Sequence, residues 1–202
     1  MKGASRAELT AAQILIVDDE IANVRLLERL LGRAGYGNLR SALDARTALA
    51  LRDELEPDLI LQDLHLPDLT SGIELLTRIT AGTPAGAYLP VLVITADATS
   101  DALHQALAAG AKDFVKKPFD TREVLLRIQN LLETRFLHRT LQERNRAVTE
   151  AAAHAVSGTM ADLVARRDVV VVAERIAASV RTLLQAKTAR VYRSDPGTGD
   201  LV

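Results

Sequence analysis

Acidic residues stand at two points in this 202-residue chain where an apolar run gives out. Ile14–Val17 runs straight into Asp18, Asp19 and Glu20, and Leu59–Gln62 runs into Asp63. A third apolar run, Val91–Ile94, ends on Thr95, and the short Phe114-Val115 ends on Lys116, Lys117 and Pro118. Carboxylates gathered in one crevice repel each other and call for a cation. A hard site that offers a few carboxylates and leaves room for water suits Mg²⁺. With a hydroxyl and an ammonium opposite, such a site cradles a phosphoryl group, whose transfer depends mainly on positioning and charge neutralisation. A carboxylate oxygen can itself be the nucleophile, giving an aspartyl phosphate. Each piece also has a structural reading: Asp18–Glu20 could cap a helix, Asp63 could start a turn before Pro67, Thr95 could cap the next helix, and Lys-Lys-Pro could be a solvated loop. Their joint occurrence at the ends of apolar runs favours the chemistry.

The elements that must position these residues alternate along residues 14–133. Strand candidates are Ile14–Val17, Asn38–Ala42, Leu59–Leu61, Val91–Ile94 and Phe114-Val115. Helical patterns lie between and after them: IANVRLLERLLGRAG, DARTALALRDEL, GIELLTRIT, SDALHQALAAG and DTREVLLRIQNLLE. The first helix carries apolar residues at 24, 27, 30 and 31 and has a stop at Gly32 or Gly35. Runs such as VLVI, apolar on both faces, belong to a parallel sheet covered by helices on both sides. Five β-α repeats predict a doubly wound α/β domain with few permitted topologies. In an open parallel sheet, ligands bind beyond the carboxyl ends of the strands. If the first strand lies beside the third, Asp18, Asp19 and Asp63 converge, with Thr95 and a lysine facing them.

With these motifs together, residues 13–133 resemble a response-regulator receiver domain of two-component signalling. The resemblance rests on VDDE at 17–20, Asp63 of LILQDLHLP, the TA of VLVITADA and DFVKKPF at 113–119. It implies a five-stranded parallel sheet of flavodoxin-like order 2-1-3-4-5, extended here by a long C-terminal helical segment. It implies Asp63 as phosphoacceptor and Asp19 and Asp63 as direct Mg²⁺ ligands, with Asp18 acting through water and the backbone carbonyl of His65 completing the set. Lys117, directly before the proline, should reach the phosphoryl oxygen rather than Lys116, and the Lys117–Pro118 bond should be cis. Thr95 and Phe114 form the expected switch: the hydroxyl is drawn to the phosphoryl group and the ring packs inward. The donor would be a sensor histidine kinase or phosphotransfer protein. The domain would be a phosphoacceptor that assists its own phosphorylation and dephosphorylation, and not an enzyme in its own right. His65 and Asp97, two residues beyond the acceptor and the switch threonine, flank the expected path of attacking water. One departure stands out: the loop Pro67–Gly72 carries one residue more than the family's usual DxxMPxMDG.

The remaining sequence narrows the alternatives. Hydrophobic residues make up 48% and charged residues 25%, which excludes collagen-like and wholly disordered chains. No apolar run reaches the roughly 20 residues of a membrane helix, and MKGASRAELTAAQ lacks the apolar core of a signal peptide. With no cysteine, disulfides, thiolate zinc sites and Cys nucleophiles are out, and a cytoplasmic protein is expected. Residues 1–133 hold 14 Lys/Arg and 19 Asp/Glu, net −5, and residues 134–202 hold 11 and 7, net +4. Neither half has a dense basic stripe, and 3% aromatic residues leave little to stack on bases. No direct nucleic-acid or membrane binding is expected. GRAGYG at 32–37 follows a helix and has the wrong order for a dinucleotide loop, and no P-loop occurs. The four histidines lack metal-ligand spacing.

No proline occurs from 119 to 195, and Gly158 is the one glycine there, so long helices are expected. The division expected is a tail 1–12, a receiver 13–133, a helical linker 134–158 and a further unit 159–202. The last receiver helix is expected to run on through 121–156, with Leu137, Leu141 and Val148 on one side, Arg144 and Asn145 interrupting the seam, and Ser157-Gly158 ending it. About 36 residues at 1.5 Å each is roughly 50 Å, and the uncovered apolar positions point to a parallel homodimer. A second helix is expected over about Met160–Ala186, then a strand and a turn in TARVYRSDPGTGDLV. From about Ala161 this resembles the opening of a GAF domain, and further chain is expected to follow. Two rival classes are a phosphorylation-independent dimerisation scaffold and a metal-dependent phosphohydrolase. The second would need an acid or base two residues past its nucleophile, where His65 stands.

Overall fold

A computed structural model describes residues 4–66, 71–84, 86–96, 99–166, 174, 176–179 and 181. Five strands, β1 (Gln13–Val17), β2 (Asn38–Ala42), β3 (Leu59–Gln62), β4 (Val91–Thr95) and β5 (Asp113–Lys116), form one sheet in the order β2-β1-β3-β4-β5. Every neighbouring pair is parallel. That is the flavodoxin-like order, with β1 beside β3. The chain therefore reverses direction across the sheet between β1 and β3, and a crevice opens beyond their carboxyl ends.

Helices α1 (Arg6–Thr10), α2 (Ile21–Ala34), α3 (Ala45–Leu55), α4 (Gly72–Ala81), α5 (Ser100–Ala108) and α6 (Thr121–Arg166) complete the described elements. On one face of the sheet, α2 and α6 bury Val24, Leu27, Leu31, Val124, Ile128 and Leu132 against Ile14, Ile16, Leu61 and Ile94. On the other, α3, α4 and α5 bury Ala48, Leu75, Leu76, Ile79 and Ala106 against Leu15, Ile60, Val91 and Val93. All five residues of β4 are buried, which is why its sequence shows no alternation. Full burial of each large aliphatic side chain stabilises by about 1.5–3 kcal/mol.

Local chemistry sets the helix ends. Of the two glycines that could stop α2, Gly35 does so, at φ 98°, in the left-handed region that glycine enters without steric cost. The caps of α3, α4 and α5 are Asp44, Ser71 and Thr99, each accepting a hydrogen bond from the backbone N–H of the third residue of its helix. Thr95 is therefore not the cap of α5. Ahead of β1, Ser5 and Glu8 form a reciprocal capping box on α1, and Leu9 is buried in the core cluster that also holds Val124 and Ile128 of α6.

The first compact unit extends to Thr140 and the second begins at Leu141. Helix α6 does not break at Ser157-Gly158 but continues to Arg166. A single glycine costs a helix only about 1 kcal/mol, too little to stop one that meets no proline. The strand and turn expected over 188–202 lie outside the described residues, as does most of the expected second helix. Residues 174, 176–179 and 181 are helical. Among the described residues no helix is long and apolar enough to cross a membrane.

Candidate functional site

Strands β1 and β3 each deliver an acid at their last turn of chain. Asp18 is 2% exposed and Asp63 7%, a depth at which carboxylates need partners. Asp18 Oδ1 accepts from the Glu20 N–H at 2.9 Å and from Asn23 Nδ2 at 3.1 Å. Asp63 Oδ1 accepts from the His65 N–H at 3.1 Å. Their remaining oxygens meet one cation: Lys117 Nζ donates to Asp18 Oδ2 at 2.7 Å and to Asp63 Oδ2 at 2.6 Å. Lys116, its neighbour, is exposed. Burial alone would push the Lys117 pKa down. The hydrogen bonds and charges of Asp18 and Asp63 together outweigh burial and hold it above 10.5.

The backbone aims that lysine. The Lys117 N–H donates to the Thr95 carbonyl at 2.8 Å, continuing the β4–β5 ladder one residue past the Thr95–Lys116 pair. The next peptide bond, Lys117–Pro118, is cis, as the sequence motif led us to expect. Thr95 is fully buried at the end of β4. Phe114 pairs in register with Val93 and packs, half-buried, against the core between the sheet and α3–α5. Asp19 and the side chain of His65 are exposed. Asp97 and residues 67–70, which hold most of the loop with the extra residue, lie outside the described residues. The structure thus brings together Asp18, Asp63 and Lys117 at the carboxyl edge of the sheet, with Thr95 closing β4 beside them.

The family profile of the response regulator receiver domain matches residues 14–129. The chain belongs to this family. TcrX of Mycobacterium tuberculosis, a probable transcriptional regulatory protein, is 37% identical over 128 residues, covering 63% of this chain and 52% of TcrX. The chemotaxis protein CheY of Pseudomonas aeruginosa is 35% identical over 121 residues, 60% of this chain and 96% of CheY. Among solved structures, NtrX from Brucella abortus superposes with a TM-score of 0.60 at 34% identity, covering 66% of this chain and 29% of NtrX. The match thus spans about half of TcrX and nearly all of CheY.

Receiver domains hold Mg²⁺ at their acidic phosphorylation site, and the donor set of this receiver fits that ion. Its oxygens are hard, and two buried carboxylates share a single ammonium, so negative charge remains uncompensated. Among the described residues no three acid or histidine side chains already surround one point as metal ligands. The Lys117 ammonium lies between Asp18 and Asp63, bonded to one oxygen of each.

Two residues of this site escaped the sequence reading. Asn23 bridges Asp18 and Glu20, its Nδ2 donating to Glu20 Oε2 at 2.9 Å. Its only sequence signal is an amide in the first turn of the helix that follows the acids. Gln62, directly before Asp63, is fully buried, and a polar residue closing an apolar strand was its signal.

Proposed function

We propose that Asp63 is the phosphoacceptor of this receiver, taking a phosphoryl group from a sensor histidine kinase or phosphotransfer protein in the cytoplasm. The observation that carries the reading is the buried bridge of Lys117 between Asp18 and Asp63. Two acids and a lysine are held where a phosphoryl group and its counter-charge would both be needed. In the step, an Asp63 oxygen bonds to phosphorus as the bond from phosphorus to the donor's imidazole nitrogen breaks, and the imidazole leaves with that electron pair. Lys117 then turns from the Asp63 carboxylate to a phosphoryl oxygen. Asp18, Asp19, Asp63 and the His65 carbonyl are the groups we assign to Mg²⁺, which when bound would offset the charge gathering on the phosphoryl oxygens. The Thr95 hydroxyl would bond the phosphoryl group and Phe114 would move further inward. Phe114 has no hydroxyl to desolvate, which favours that motion.

For output, we propose that residues 134–158 link the receiver 13–133 to a unit beginning near 159, which we read as GAF-like. The linker would pair with a second copy through Leu137, Leu141 and Val148, all exposed on α6.

Intact mass after incubation with Mg²⁺ and acetyl phosphate tests the central reading. One added phosphoryl group is expected, and none in Asp63→Asn. Undiminished labelling of Asp63→Asn at the same site would refute the assignment. A chain that never labels behaves as the scaffold class, and one that turns over a phosphoester behaves as the hydrolase class.

A further inference from the structure

The loop that carries Asp63 and His65 joins β3 to α4, and its far end is Gly72, the first residue of α4. Gly72 gives both of its backbone groups to the residues flanking Asp63. Its N–H donates to the Leu64 carbonyl at 3.2 Å, and its carbonyl accepts from Gln62 Nε2 at 2.6 Å. A side chain at 72 is excluded, because a Cβ there would run into the Leu64 Cα and carbonyl.

Gln62 is an unexpected residue for its place. It lies fully buried, in register with Val17 on one side and Val93 on the other, both apolar and themselves buried. Its Oε1 has no hydrogen-bond partner among the described residues. A buried amide left half-satisfied costs stability relative to an apolar side chain of the same size. A strand needing only to fill its core would place Leu or Met here, so the amide N–H must be worth keeping for what it holds.

We propose that Gln62 is a positioning residue for the phosphoacceptor loop. Together with the Leu64 carbonyl it pins Gly72, and the pinned Gly72 fixes the backbone of residues 63–65 from the far end of the loop. That sets the Asp63 carboxylate and the His65 carbonyl relative to Asp18 and Lys117. The pin is made at 62, 64 and 72, outside residues 67–70, so the extra residue of this loop need not disturb the acceptor. The proposal rests on Asp63 being the phosphoacceptor.

Gln62→Met and Gln62→Leu remove the amide and keep most of the volume, and Ile60→Val on the same strand serves as the core control. In metal-free protein both Gln62 variants should unfold at or above the wild-type midpoint, while amide exchange at Gly72 speeds about tenfold. Labelling by acetyl phosphate at fixed Mg²⁺ should slow about tenfold. Ile60→Val should show the reverse, a lower midpoint with exchange at Gly72 and labelling unchanged. Wild-type exchange and labelling in both Gln62 variants, whether or not the midpoint falls, would overturn the positioning role. A wild-type chain that never labels overturns the phosphoacceptor reading and this role with it, and is told apart because the wild-type arm alone reports it.

Discussion

Lys117 is the residue on which the site's electrostatics turn. Its ammonium is the counter-charge for Asp18 and Asp63, whose side chains are only 3% and 8% exposed. Removing it leaves two buried carboxylates facing each other. Lys117→Met is therefore expected to lower the unfolding free energy by about 2 kcal/mol in metal-free buffer near neutral pH, with Mg²⁺ restoring part of it in urea titrations. The pH dependence has a definite sign. Because the folded protein holds the Lys117 pKa above 10.5, its contribution is complete below that value and fades as pH rises through the elevated one. Raising the pH from neutral into the strongly alkaline range should thus bring wild type and Lys117→Met together in stability. His65 makes a contrasting case. Its N–H, not its side chain, bonds Asp63, so His65→Ala should leave Mg²⁺ affinity unchanged while altering the rate at which phosphoryl is lost. A decay rate equal to wild type would remove the side chain from that step.

At the end of the sheet opposite the acids, α6 is tied down by a cluster of polar contacts. Asp58, just before β3, accepts from the Gln13 N–H at 3.2 Å and pairs with Arg135 and Arg139 at 3.5 and 3.4 Å. Arg135 also donates to the Tyr88 carbonyl at 2.8 Å, and the Tyr88 ring stacks on His138 with centroids 4.8 Å apart. Phe136 joins the core. The helix is consequently fixed to the sheet as far as its Arg139 turn, about two turns beyond Leu132. Asp58→Ala removes the acceptor of the Gln13 N–H and the ion-pair partner of Arg135 and Arg139, and should cost about 1–2 kcal/mol in thermal or urea unfolding. Labelling of Asp63 should be unaffected, since Asp58 and Asp63 lie at opposite ends of β3. A fall in labelling at full folding would show that the two ends of the strand communicate.

At the scale of the whole molecule, Leu137, Leu141 and Val148 stand 43%, 41% and 61% exposed along α6. A helix that presents apolar residues at this spacing gains by burying them against another surface. Arg146 and Glu150 pair along the same helix, which supports the helix itself without choosing a partner. In the parallel-dimer reading, Leu137→Glu with Leu141→Glu should convert a dimer to a monomer in sedimentation while Asp63 labels normally. Wild-type chain that sediments as a monomer at high concentration, phosphorylated and not, would sink that reading.

The strands and helices of the receiver were legible because each rests on a pattern local in the chain. VLVI is apolar at every position because β4 is covered on both faces, and Val24, Leu27, Leu30 and Leu31 of α2 follow one helical stripe. The acids at strand ends were legible for the same reason: once the sheet is parallel, a residue that ends a strand must lie at its carboxyl edge. What local pattern could not supply is which atoms meet. Lys117 is 99 residues from Asp18 and 54 from Asp63, so its choice of both oxygens follows from the register of β4 with β5, where the ladder fixes the Lys117 N–H on Thr95. Asn23 and Gln62 became visible only with their partners in place, because an amide in a helix turn or at a strand end is ordinary until one sees what it bonds. The persistence of α6 through Gly158 reflects a balance of small helix propensities, in which one glycine is outweighed by its neighbours. Short-range periodicity therefore specifies the scaffold and its reactive edge, while long-range packing selects the pairings that make the edge a site.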